Sequence, residues 1–545
     1  MEEIRYFILF LCIMSCMTGC HRNAAITELK HSPIPQLRIS MDAAFVDTIY
    51  NVNRKKVPAY AVLVMEGGDT IYDDSLKYIR ARGNSTFDIP SKKAFTIKFA
   101  NPVRIPGVDK GKKFILLANA LDEGLSHVRN SIAFDIAQQV GMLAPAYTYI
   151  SLYINEDYKG LYQMTRTVDV NKRFVNIVDL EKENEYLNGM SLDIYEQFCY
   201  GDINQQQIKG FMLPNTPDDF TGGYLLRIGG YSRAESGFMS RAGDTISIKS
   251  PQHASLAEVK YIQAYYNQME DAIRDTTTSR YLDYIDVVSF AKYYMLQEIL
   301  VNSDACVGNS IYLYKDAHGK MNAGPIWDMD GILTPDNKAR YTYDLPANMI
   351  WAAEPKSLTQ KPKSLLQLLW EREDFREVCK EVYLNQMSEA IHKYINSGYI
   401  DSLSKLLADE AVYDYSVNGY ESGYNEADYK ESVSIPMKYL KERIDFFDWY
   451  FNTAGEDMVC LSDVSELEMP QDRNIHMYVA KGEPIMLPAR RHVNVRTPNV
   501  EWYIAGTNER IKDGMIIDRD CDIECRLVPP SWWEKQYRRV KKLIH

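Results

Sequence analysis

The sequence predicts an α+β protein with a small C-terminal β-sandwich, and three observations lead there. Strand-like alternation of apolar and polar residues fills the stretch from Leu37 to Phe99 and returns over 147–165. Helical periodicity dominates from Ser255 to Ile299 and again from Ser364 to Phe451. After Gly455 the pattern changes to short β-type runs broken by turn residues, which is the texture of a small sandwich over 456–530. With 545 residues the chain exceeds one ordinary domain. Its 46% hydrophobic and 25% charged residues are those of a globular protein. A net charge of −12 argues against non-specific binding of nucleic acid.

The N-terminus reads as a targeting segment. The apolar run from Tyr6 to Met14 is too short to span a bilayer and ends in Met17-Thr18-Gly19-Cys20. That pattern resembles a bacterial lipobox. It predicts a signal peptide over 1–19, lipidation of Cys20, a polar tether over 20–36 and a lipid-anchored place in the cell envelope. The six cysteines beyond it (Cys199, Cys306, Cys379, Cys460, Cys521 and Cys525) are scattered and read as packing residues rather than a disulfide or zinc framework.

Within the first β-rich stretch, Ala59–Val64 and Ala94–Phe99 alternate as strands. Between them lies Arg82-Gly83-Asn84-Ser85-Thr86, a turn whose backbone and side-chain donors could meet a phosphate or merely close a hairpin. Lys98 ends the second strand and is expected to point inward beside apolar neighbours as a phosphate-binding charge, with Lys92 and Lys93 as competitors. A helix over 126–139 buries Ile132, Phe134 and Ile136, stops at Gly141, and offers Asp135 as an acidic partner for a strand lysine. A hairpin follows around Glu156–Lys159. The stretch from about 170 to 222 lacks periodicity and reads as a loop-rich insertion.

Strands at Gly222–Ile228 and Thr245–Lys249 precede two helices. The first opens on the capping box Ser255-x-x-Glu258, and Asp286 caps the second. That second helix leads into the stretch Asn302–Asp330. Here Asp304 and Asn309 stand five positions apart, the Asp-x-x-x-x-Asn spacing of a protein-kinase catalytic loop. Nineteen positions after Asn309, Asp328 and Asp330 emerge at the end of a strand-like run. Phosphoryl transfer needs a group to take the acceptor's proton and hard oxygen ligands for Mg²⁺. Asp304 suits the first task, and Asn309, Asp328 and Asp330 suit the second. Further on, 341–362 is irregular, Asn418–Tyr429 is a polar loop, and Pro436 is placed at the start of a last helix. Residues 531–545 form a basic tail.

Taken together, Arg82–Thr86, Lys92-Lys93, Ile97-Lys98-Phe99, Arg129-Asn130, Tyr158-x-Gly160-Leu161-Tyr162, Gly222–Leu226, Asn302-x-Asp304 and Gly324–Asp330 resemble the CotH kinase family over 37–453. The resemblance implies a two-lobed, atypical protein-kinase-like fold that uses ATP with Mg²⁺ or Mn²⁺ to phosphorylate serine-containing proteins. It implies Asp304 as catalytic base, Asn309, Asp328 and Asp330 at the metal, and Arg82, Asn84, Ser85 and Lys98 at the phosphates. Arg166 departs from the family's usual Glu, and Met329 from its usual Phe. The expected activity is therefore a kinase-like phosphotransferase on envelope or secreted proteins. The alternative is a non-catalytic envelope scaffold built on the same fold.

Overall fold

The structure is a computed structural model that describes residues 33–83, 85–88, 91–120, 122, 125–201, 207–306, 308–335, 345–350, 363–419, 423–464, 475–488 and 499–528. The lipobox, Asn84, the basic tail and most of the tether and of 341–362 lie outside them. The fold is mixed α+β, and its residues divide into two compact units.

The first unit takes the described residues up to His127, then Ala146–Thr167 and Ile400–Ser432. Seven strands form a closed barrel: β1 (Gln36–Ser40), β2 (Val57–Val64), β3 (Thr70–Arg82), β4 (Ala94–Ile105), β5 (Asp109–Leu117), β6 (Tyr147–Ile154) and β7 (Asp157–Arg166). Their order is β1-β2-β3-β4-β5-β7-β6, and a parallel pairing of β1 with β6, Gln36 opposite Ser151, closes it. Because side chains alternate along a strand, Phe95, Ile97 and Phe99 of β4 share one face and enter the core with Ile79, Phe114 and Met164. Each such apolar side chain contributes about 1.5–3 kcal/mol on full burial. The β6–β7 hairpin turns through Asn155 and Glu156, both with positive φ, as a two-residue turn matched to strand twist requires.

The second unit takes Val128–Pro145, Val168–Tyr399 and the described residues after Val433. One sheet runs β14-β13-β10-β12-β11-β9-β8. Its strands are β8 (Gln197–Tyr200), β9 (Ile208–Phe211), β10 (Tyr224–Ile228), β11 (Ser236–Met239), β12 (Thr245–Ser250), β13 (Tyr312–Lys315) and β14 (Met321–Ala323). The two predicted helices are present as Leu256–Arg274 and Val287–Ile299. The first has both bonds of the Ser255/Glu258 capping box, and Asp286 accepts from Ser289 N in the second.

Three expectations need correction. The 170–222 stretch is not mainly loop: it holds a helix at Leu180–Asn188, capped by Asp179, and the strands β8 and β9. Four-residue strands are too short to show a period. In the C-terminal region β16 (Met458–Asp463), β17 (His476–Ala480), β18 (Asn499–Ile504), β19 (Arg510–Ile511) and β20 (Cys521–Val528) form one sheet among the described residues, joined by β15 (Met349–Ile350). Alternation specifies strands but not whether they pair into one sheet or two. Finally, Pro436 lies inside the helix Glu426–Asn452 rather than at its start. The bond it cannot give to the Ser432 carbonyl is outweighed by a buried stripe of Tyr429, Val433, Leu440, Ile444 and Phe447 on both sides of it.

Candidate active site

The helix Val287–Ile299 ends in a left-handed residue, Val301 (φ 52°), which turns the chain into Asn302. Asn302 is buried, and its Oδ1 accepts from the N–H groups of Asp304 and Ala305 at 3.2 and 3.4 Å. It thereby caps the short helix Ser303–Cys306 that carries Asp304. Asn309 N in turn donates to Asp304 O at 2.9 Å, so the five-residue spacing closes one compact turn. Asp304 is half-buried and Asn309 is exposed.

The second acidic segment is built from the other side. Arg129, 2% exposed at the start of the helix Arg129–Gln139, donates from Nη1 to the carbonyls of Ile332 and Leu333, each at 2.6 Å. Asn130 Oδ1 accepts from Met329 N at 3.1 Å, and Phe134 stacks on Trp327. Ile326 N donates to Leu143 O and Leu333 N to Leu300 O. The loop 326–333 is thus pinned at both ends, which accounts for the Arg-Asn pair as a structural device. Asp135 on the same helix accepts the Tyr394 hydroxyl at 3.0 Å.

The two segments meet. Asn302 Nδ2 lies 3.3 Å from Met329 Sδ, and the Ser310 hydroxyl donates to Asp328 Oδ2 at 2.7 Å. Ser310 also accepts from Arg227 Nη2 of β10 at 2.9 Å. Asp328 is exposed, Asp330 half-buried and Met329 fully buried. Val301, Ser310, Asp328 and Leu333 all have positive φ, a backbone state that costs a non-glycine residue about 1–3 kcal/mol and collects at functional sites. Asp304, Asn309, Asp328 and Asp330 therefore lie on two contiguous, braced segments of one unit. Arg227 and Ser310 were not singled out from the sequence, because an arginine on an alternating strand and a serine after a turn carry no distinguishing pattern.

The basic residues belong to the barrel unit. Lys98 faces away from Phe95, Ile97 and Phe99, so the inward placement expected for it is corrected. Burial pushes its ammonium pKa down, and so do Lys77, Lys56 and Lys112 around it. Alternation from the buried Ile97 and Phe99 sets this face. The inward lysine is Lys92, 3% exposed, which donates from Nζ to Asp414 Oδ2 and to Leu161 O, each at 2.6 Å, and sits 4.7 Å above the Tyr162 ring. Gly160 makes room for the pair: a Cβ there would fall 2.3 Å from Asp414 Oδ1 and 2.7 Å from Lys92 Cε. The motif Tyr158-x-Gly160-Leu161-Tyr162 is in this way the seat of a buried ion pair. Asn418 Nδ2 donates to Asp414 Oδ1 at 2.8 Å, and His127 Nε2 stands 3.0 Å from Oδ2, off the line of a hydrogen bond. Burial opposes the Asp414 charge, but the Lys92 ammonium holds its carboxyl below the usual range. Burial keeps His127 below the usual imidazole range.

Arg82 ends β3, and Gly83 beside it (φ 111°) lets the chain fold back so tightly that a Cβ would strike Thr86 Oγ1 at 2.0 Å. Ser85 opens the helix Ser85–Asp88, and Lys93 Nζ donates to Phe87 O, closing this turn. Arg166 donates to Lys110 O at 2.6 Å and lies over the Phe114 ring.

A family model described as CotH kinase protein matches residues 79–447. No curated protein matches the chain.

Proposed function

Because the chain belongs to the CotH kinase protein family, we propose that it is a two-lobed, kinase-like phosphotransferase that moves the γ-phosphoryl group of ATP to a hydroxyl of a protein acceptor. The observation that carries this reading is the Ser310–Asp328 bond at 2.7 Å, which brings the segment holding Asp304 and Asn309 against the one holding Asp328 and Asp330. Both residues of that bond sit in left-handed backbone.

Asp304, at the head of its capped turn, accepts the proton of the attacking hydroxyl. The hydroxyl oxygen then bonds to the γ-phosphorus as the bond to the leaving ADP oxygen breaks. Among the described residues no three His, Cys, Asp or Glu side chains gather into a group that could hold a metal alone. Mg²⁺ asks for less, being held by one or two carboxylates together with substrate phosphates. The donors here fit that requirement: Asp328 is exposed, with Oδ2 taken by Ser310, and Asn309 is an exposed amide beside Gly229. Mg²⁺ or Mn²⁺ held by Asp328, Asn309 and Asp330 would neutralise charge on the transferred phosphates. The acceptor class, serine-containing envelope or secreted proteins, and the lipid anchor at Cys20 belong to the same proposal. Among the described residues no helix is long and apolar enough to cross a membrane.

The test is incubation of the protein with γ-labelled ATP and Mg²⁺ or Mn²⁺, beside Asp328→Ala and Asp304→Asn. Label transfer by the wild type that falls at least about 100-fold in both variants is expected. Absence of transfer, together with no nucleotide-dependent rise in melting temperature, overturns the reading.

A further inference from the structure

The Arg227–Ser310–Asp328 chain extends the site to a residue outside its acidic segments. A hydroxyl has a single proton. Since Ser310 Oγ accepts from Arg227 Nη2 at 2.9 Å, that proton is directed to Asp328 Oδ2, 2.7 Å away. A guanidinium has donors and no acceptor, so Ser310 can only accept from it. Ser310 is buried and held at φ 57°, and Arg227 Nε is itself buried without a hydrogen-bond partner. The arginine is therefore committed to Ser310 by one arm of its guanidinium, with no carboxylate of its own within ion-pair distance among the described residues. On the far side Asp328 is exposed, and the bond from Ser310 engages one of its two oxygens.

We infer that Arg227 is a positioning residue: acting through Ser310, it fixes the carboxylate of Asp328 so that the other oxygen is presented to a divalent cation. The inference rests on the phosphotransfer reading for the role of Asp328. Partners that orient a ligating carboxylate in this way change metal affinity about 10–100-fold when removed. Gly229 and Gly230 flank the arrangement. A Cβ at Gly229 would stand 3.8 Å from Asn309 Oδ1, and one at Gly230 3.4 Å from Ser247 Oγ and 3.8 Å from Arg227 Nη1, so the turn after β10 packs beside both residues at ordinary contact distance.

The experiment is a titration with Mn²⁺, followed by electron paramagnetic resonance, on the full chain and its Arg227→Met, Ser310→Ala, Arg227→Lys and double Arg227→Met/Ser310→Ala variants. Expected is an increase in Kd of about 10–100-fold in both single variants. The double variant is expected to be no weaker than Ser310→Ala, because the two residues act in series, and Arg227→Lys is expected to recover part of the affinity. Arg227→Met binding within twofold of wild type, or single effects that simply add, overturns the inference while the phosphotransfer reading stands. Wild-type protein that binds no Mn²⁺, either alone or with a non-hydrolysable ATP analogue present, overturns both. Ser310→Ala removes one oxygen atom and keeps the series testable if Arg227→Met does not fold.

Discussion

The Lys92 ammonium lies 2.6 Å from Asp414 Oδ2 with both side chains buried, joining the turn before β4 to the helix Tyr399–Asn418 across more than three hundred positions of sequence. Such a pair is costly to desolvate, and its attraction repays that cost only when the remaining donors and acceptors are satisfied. Here Leu161 O takes a second Lys92 proton and Asn418 donates to the second Asp414 oxygen. Lys92→Met or Asp414→Asn alone is expected to destabilise by about 3–5 kcal/mol, because each strands a buried charge. The double variant Lys92→Met/Asp414→Leu should recover much of that loss. Urea unfolding of the three variants measures it, and a double-variant loss equal to the sum of the single losses would refute the coupling.

Gly160 gives a sharper test of the same seat. Its φ of 128° and the 2.3 Å approach of a built Cβ to Asp414 Oδ1 mean that Gly160→Ala must shift both backbone and ion pair. A destabilisation well above about 1 kcal/mol is expected. Gly68, with positive φ and nothing within 4 Å of a built Cβ, is the control: Gly68→Ala should cost about 1 kcal/mol from backbone strain alone. Thermal melts of the two variants separate the readings.

Arg129 is the next point of leverage. Arg129→Met leaves the Leu333 carbonyl without its buried side-chain donor, at about 1–3 kcal/mol, while the Ile332 carbonyl keeps its bond from Thr334 Oγ1. The loop 326–333 should loosen before the unit unfolds. Hydrogen exchange reads this directly, since Leu333 N, bonded to Leu300 O, is expected to lose protection selectively.

A pH dependence follows from His253, which sits between Glu181 and Asp193 with its ring nitrogens 2.5 and 2.9 Å from their carboxylates. Burial alone would lower its pKa, but the two carboxylates raise it to about 9. A histidine raised above its unfolded value of 6.5 contributes stability that is fully present below 6.5 and is lost as pH rises through about 9. With Asp193 largely in solvent, the contribution is about 1 kcal/mol. Melting temperatures between pH 6 and 10 should fall in the wild type more steeply than in His253→Gln. Parallel curves would show that the clamp does not titrate as described.

Much of this protein is determined by sequence alone. The alternation at 57–64 and 94–99, the capping box at Ser255/Glu258, the Asp286 cap, the stop at Gly141 and the hairpin around Glu156 are local, because each depends on a few neighbouring residues meeting one backbone requirement. The Asp304–Asn309 turn is equally local, closed by a bond between the two ends of its own spacing. What spacing could not contain is partnership across the chain. Which face of β4 is inward is set by the closure of a seven-stranded barrel, and that closure puts Lys98 outside and gives the buried ion pair to Lys92. The choice of Asp414 as its counterion, of Arg129 as the brace of 326–333, and of Arg227 as the residue behind Ser310 and Asp328 was made by packing. A side chain's chemistry can be read at its own position. Its partner, and therefore its charge state and its task, exists only once distant segments have excluded water from between them. For Asp328 the sequence supplied the carboxylate, and the tertiary structure decided which of its oxygens Ser310 holds.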